Sequence, residues 1–209
     1  MKKIFSLFCG MMLMASTAFA QEATIKNIEE VHSLKLNYPI ISLENKDVAD
    51  EINRFISKKV IAYKKVFNNH NYVQGVVDYK VMYQDEDYLS IVFTYWWYFK
   101  NAAHGMYNTS GIVFNKHSGK LVNLKHFVPD LNVKSLIKKI NDNELNIYNQ
   151  RDEIVTLAKP FELDRVSHSY YIDKDKTVYL IYQPYELASY ADGNTYIKIT
   201  QEDAKKLKE

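Results

Sequence analysis

The stretch Tyr88–Phe99, YLSIVFTYWWYF, alternates along its whole length. Leu89, Ile91, Phe93, Tyr95, Trp97 and Phe99 fall on one face. Tyr88, Ser90, Val92, Thr94, Trp96 and Tyr98 fall on the other. A period of two is a strand signature, and here both faces carry aromatic side chains. The first face reads as core against a helix layer. On the second face, Trp96 and Tyr98 fit either a second packed layer or a contact platform, because exposed Trp and Tyr offer large contact area at low entropic cost.

The neighbouring residues extend this strand into a sheet. Val77, Tyr79, Val81 and Tyr83 alternate with Asp78, Lys80 and Met82, and Gln84–Asp87 forms a polar turn. Met106–Asn115 reads as a third strand, with a hairpin turn at Lys116–Lys120 leading into Leu121 and Val122. Ser169–Ile172 and Thr177–Gln183 read as a later hairpin, and Asn194–Thr200 as a last strand.

Two helices accompany the strands. Over Asn45–Asn68, residues Val48, Ile52, Phe55, Ile56, Tyr63, Val66 and Phe67 share one stripe. A second stripe, with Val133, Leu136, Ile137, Ile140, Ile147 and Tyr148, predicts a helix over Val133–Tyr148 capped by Asp130 or Asn132. Thr24–Leu36 reads as extended structure ending at Tyr38-Pro39. Asn149–Ser167 is poorly patterned, and the tail after Thr200 reads as a short helix. Strands and helices are segregated, so the class is α+β, a largely antiparallel sheet with two main amphipathic helices packed on it. Even composition predicts one domain over residues 21–209, at most with two lobes over about 21–70 and 71–209.

Residues 1–20, MKKIFSLFCGMMLMASTAFA, combine a basic start, a short apolar core and an A-x-A site, the pattern of a signal peptide. The expectation is an exported protein, periplasmic or secreted, with no membrane span after cleavage. Cys9 is the only cysteine, so a mature chain has no disulfide, thiol nucleophile or cysteine zinc site. Lys2 and Lys3 account for the formal charge of +2. Without them acids and bases balance, and no field favours nucleic acid.

Catalytic and cofactor fingerprints are sparse. His32, His70, His104, His117, His126 and His168 form no recognised ligand spacing, and no P-loop, dinucleotide fingerprint or nucleophile elbow occurs. No metal or cofactor is expected. His104, in Ala103-His104-Gly105, reads as a turn residue bonded to nearby backbone. Glu186 and Asp192 share the loop PYELASYADG, Pro184–Gly193, and could serve as a carboxylate pair for glycan hydrolysis. The plainer reading is that Glu186 bonds the loop backbone and Asp192-Gly193 turns the chain. Tyr185 and Tyr190 flank Glu186, and long loops with their own aromatics are often functional.

The order of these features carries a resemblance. Tyr38-Pro39 precedes a helix, Ala103-His104-Gly105 follows an aromatic strand, and Ser118-Gly119-Lys120 leads to VNLKHFV. An amphipathic helix then precedes YYIDKDKTVYLIYQPYELASYADG. This is similar to the extracytoplasmic domain of the lysozyme-sensing anti-sigma factor RsiV. Related domains precede the catalytic domain of PdaC-type peptidoglycan deacetylases and occur alone in exported proteins. The resemblance implies an α+β domain without catalytic activity of its own, which in RsiV binds lysozyme. The sigma-binding segment and transmembrane helix of RsiV have no counterpart here. The commoner loop pattern has a second proline before the later tyrosine, where this chain has Ser189.

The expectation is therefore a non-catalytic binding domain of the cell envelope, recognising a lysozyme-like protein or a peptidoglycan fragment. Tyr185, Glu186 and Tyr190 are the leading contact residues, with Trp96 and Tyr98 beside them. The alternative is an envelope glycan hydrolase using Glu186 and Asp192. A homo-oligomer burying the aromatic surface is also compatible with the sequence.

Overall fold

The computed structural model describes residues 24–31, 33–158 and 160–207. The signal-peptide pattern and its cleavage site lie outside the described residues, as does His32. The fold is α+β. Among the described residues nine strands form two sheets, antiparallel except at one pairing.

The first sheet has the order β1 (Thr24–Val31), β2 (Leu34–Ile41), β3 (Tyr72–Gln84), β4 (Tyr88–Phe99) and β5 (Met106–Asn115). Helix α1 (Lys46–Asn69) connects β2 to β3, which run parallel. Asn45 caps α1 by accepting from the Val48 amide at 3.3 Å. Asn53 bonds both the amide and the carbonyl of Ile41, at 2.7 and 2.8 Å, and so ties α1 to the end of β2. Val48, Ile52, Ile56, Val60 and Phe67 of α1 are buried on one face of this sheet. They meet Leu34, Leu36, Val77, Leu89, Ile91 and Phe93. Burial of such side chains contributes roughly 1.5–3 kcal/mol each.

The alternation of β4 is largely realised, with Leu89, Ile91, Phe93 and Tyr95 buried and Trp97 packed against that core. Phe99 departs from it, being 42% exposed, because it lies at the strand end and packs edge-on against Tyr72 at 4.6 Å. Val66 also turns out exposed, while Ala49 and Val60 are buried in the same helix.

Three sequence expectations are corrected. The first extended segment is two strands, β1 folding back on β2, and Pro39 sits inside β2 opposite Lys26. Beyond Leu36, β2 has no ladder to β3, so a residue lacking an N–H is tolerated there. Residue 70 is not a lobe boundary, since β2 and β3 pair across it. The second helix, α2 (Val133–Asn141), stops well before Tyr148. Asn143 adopts φ +59°, which ends the helix, and Ile147–Asn149 becomes β6.

The second sheet has the order β6, β9 (Thr195–Ile199), β8 (Val178–Tyr182), β7 (Tyr170–Ile172). Helix α2 starts in a reciprocal Asn132–Ser135 capping box. Helix α3 (Gln201–Lys206) is capped by Thr200. Leu136, Ile140, Ile172, Leu180, Ile197 and Leu207 belong to one core on the helix side of this sheet.

The two sheets meet along β5 and β7, and side chains do much of the joining. Gly111 donates to Ser169 Oγ at 2.8 Å. The Gln183 amide accepts from the Thr109 N–H at 2.8 Å and donates to the Thr109 carbonyl at 2.7 Å, standing in for a strand. Ile172 donates to Ser90 Oγ at 3.0 Å. At the far end Lys176 of the second sheet bonds Asp85 and lies 4.3 and 4.6 Å above the rings of Tyr83 and Tyr88.

Candidate functional site

Where the two sheets diverge from this seam, their outward faces form a groove of about 690 Å³. On the first sheet it is lined by the face of β3–β5 away from α1, including Asp78, Lys80, Thr94, Trp96 and Tyr107. On the second sheet the strand positions between core residues supply Tyr171, Tyr179, Tyr196 and Lys198. Along β7–β9 alternation thus places core on one side and groove on the other. The second face of β4 is divided: Ser90 is buried under β7, while Trp96 lines the groove.

The groove tyrosines are held neutral through ordinary pH. Burial pushes the Tyr179 hydroxyl up to about 12, helped by Asp173. Burial also raises Tyr171, Tyr196 and Tyr107, the last helped by Tyr190 and Tyr196. Tyr171 and Tyr179 stack at 4.5 Å with planes 7° apart, and Tyr196 meets Tyr171 edge-on at 6.0 Å. Asn194 is 5% exposed and donates to Thr109 Oγ1 at 2.7 Å, but its Oδ1 has no partner.

The PYELASYADG loop stands at one end of this groove. Tyr190 donates to the Gly105 carbonyl at 2.6 Å and its ring lies 4.2 Å from that of His104. Gly105 in turn lies on Trp96, so closely that a methyl there would fall 2.3 Å from Nε1. Tyr185 lies 5.8 Å from Tyr190, is 62% exposed and has φ +71°. Its amide donates to Ala188 O at 3.0 Å. Such backbone strain in a non-glycine residue persists only where its surroundings fix it. Tyr185, Tyr190, His104 and Trp96 are thus a connected aromatic ledge, with Tyr98 stacked beyond Trp96 at 6.4 Å.

Glu186 and Asp192 have local duties. Glu186 accepts from the Gln183 amide at 2.7 Å and pairs with Arg165 at 2.5 Å. Asp192 accepts from the amide and hydroxyl of Ser189 at 3.2 and 2.6 Å. A separate depression of about 310 Å³ holds Glu186, Arg165 and Tyr185 but not Asp192. Glu186 is thus an exposed carboxylate already paired with Arg165 and bonded to its own loop.

The histidines go separate ways. His104 Nδ1 is 2.9 Å from the Gly105 carbonyl, His117 pairs with Asp87 at 2.8 Å, and His126 bonds the Tyr88 hydroxyl at 2.8 Å. Among the described residues no group of three or more His, Cys, Asp or Glu could hold a metal ion. Tyr107, Tyr171, Tyr179, Tyr196 and Asn194 were not singled out by the sequence. The same period-two reading used for β4, applied to β7–β9, would have found the last-sheet tyrosines.

Fold and site together define an α+β domain of two sheets, seamed by side chains, with an aromatic ledge beside an aromatic groove. Residues 120–202 match a family model described as a protein of unknown function (DUF3298). That segment contains the second sheet and the Tyr185 loop, whereas β1–β5 precede it. The whole structure is similar to that of a DUF3298 family protein from Pseudomonas aeruginosa PAO1. The TM-score is 0.53 at 15% identity, covering 87% of this chain and 90% of that one. A DUF3298 family member from Bacteroides fragilis NCTC 9343 gives a TM-score of 0.49 at 16% identity, covering 86% and 89%. At such identity the first likeness speaks for the fold. No curated protein matches the chain.

Proposed function

We propose that this chain is an exported, non-catalytic binding domain acting at the cell envelope, and that its Tyr185 loop engages a lysozyme-like protein. The observation that carries this reading is Tyr185 itself, an exposed aromatic held at positive φ by its loop and backed by Tyr190. A rigid aromatic knob is the kind of residue that dominates protein interfaces. The order of motifs shared with the extracytoplasmic domain of the lysozyme-sensing anti-sigma factor supports this partner. Export rests on the signal-peptide pattern of residues 1–20. Among the described residues no helix is long and apolar enough to cross a membrane.

The hydrolase reading draws no support from the loop, where Glu186 and Asp192 each hold local structure. The test is binding of the purified domain to immobilised lysozyme. Saturable binding is expected, weakened at least about tenfold by Tyr185→Ala, the loss of one interface anchor. No binding by the parent domain, or equal binding by the variant, overturns the proposal.

A further inference from the structure

We infer that the inter-sheet groove is a second and separate binding site, and that it takes an uncharged oligosaccharide. Three features of the groove point to this class of ligand.

The first is its aromatic lining. Trp96, Tyr107, Tyr171, Tyr179 and Tyr196 come from both sheets and surround one open space. A pyranose ring has an apolar face of C–H bonds, slightly positive at hydrogen. It therefore packs favourably on the electron-rich face of an aromatic ring. Purely aliphatic ligands would leave the polar wall unpaired, at a desolvation cost.

The second is the polar wall. Gln150 lines the same space and supplies an amide, which both donates and accepts. The neutral tyrosine hydroxyls add to it. Sugar hydroxyls, likewise both donors and acceptors, match such a wall.

The third is charge. Asp78 and Asp152 are balanced by Lys80 and Lys198 in the lining. Asp152 pairs with Lys198, and Asp78 accepts from Asn37. No excess of either sign is present to compensate a charged polymer.

The volume agrees, since ligand sites span roughly 300–1,000 Å³. A peptide added as an extra strand fits less well. The groove floor is made of sheet faces, and the nearby β5 edge is already bonded by Ser169 and Gln183.

The test is titration of the full domain with chitotetraose, cellotetraose and, as an anionic control, a heparin tetrasaccharide. Tryptophan emission and calorimetry provide the readouts. Saturable binding of a neutral sugar is expected, with the heparin fragment at least about tenfold weaker. Tyr179→Ala should weaken the sugar about tenfold and Tyr179→Phe by no more than about threefold, since the second keeps the ring. Absence of saturable binding for both neutral sugars, tighter binding of heparin, or full affinity in Tyr179→Ala each overturns the inference. Tyr185→Ala should leave sugar binding unchanged, so this site and the proposed lysozyme contact stand or fall independently.

Discussion

Gly111 of β5 runs so close to Tyr170 of β7 that a methyl on Gly111 would fall 2.3 Å from the Tyr170 carbonyl oxygen. The obstacle is backbone, which cannot swing aside. Gly111→Ala should therefore destabilise the fold by about 1–3 kcal/mol, the usual cost of forcing atoms into a packed site. Urea denaturation checks this, and a variant as stable as the parent would show that the two strands can part without penalty.

Gln183 stands in for backbone at the same seam. Gln183→Ala leaves the amide of Thr109 without its partner, and its carbonyl with only the long 3.5 Å bond from Ser169 Oγ. Where these groups stay shielded from water, the loss should reach about 1–3 kcal/mol. Hydrogen exchange at the Thr109 amide is the local readout and should speed up well beyond the global change.

Asp85 gives the fold an acid dependence. Burial works against its charge, but bonds from Lys176, Tyr83 and the Tyr88 amide outweigh burial and hold the carboxyl at about 2, below the usual 3.8. Between those values the unfolded chain binds the proton and the folded chain does not. Its stabilising contribution is thus complete above about pH 4 and is lost as pH falls towards about 2. Asp85→Asn should lower stability at neutral pH by about 1 kcal/mol and flatten the loss over that acid range. An unchanged acid profile in the variant would refute this assignment.

Tyr185 should separate stability from binding. Its exposed ring contributes little to the core, and its positive φ is costly for a side chain with a Cβ. Relief of that strain in Tyr185→Gly offsets the added entropy of the unfolded chain, so stability should stay within about 1 kcal/mol of the parent. Lysozyme binding should nevertheless be lost. A fall well beyond that range would make Tyr185 a folding residue rather than a contact.

Tyr190→Phe removes the hydrogen bond to the Gly105 carbonyl while keeping the ring against His104. The expected cost is about 1 kcal/mol, with faster exchange confined to the turn around Gly105. Exchange spread over β4 and β5 would instead show that the loop braces the whole sheet.

Local patterns in the sequence conveyed much of the architecture. The period of β4, the stripe of α1 and the cap at Thr200 each depend on neighbours along the chain. The end of α2 was harder to read because Ile147 and Tyr148 continue a helical stripe while Asn143 breaks the backbone before them. The seam was illegible for a different reason: nothing local marks Gln183 or Ser169 as substitutes for main chain on a strand more than fifty positions away. The ledge was half legible. Its loop tyrosines stood out, but their junction with Trp96 runs through Gly105, whose role is to leave room.

A backbone ladder is the same whatever the residue, so mutation can scarcely tune it. The bonds of Ser169, Gln183 and Ser90 are individually replaceable. The angle between the two sheets is thereby open to a few codons, within the limits set by Val113 of β5, which packs into the second core, and by the close approach of Gly111 to Tyr170. Descendants of such a chain can trim the cleft between the sheets by exchanging single polar side chains.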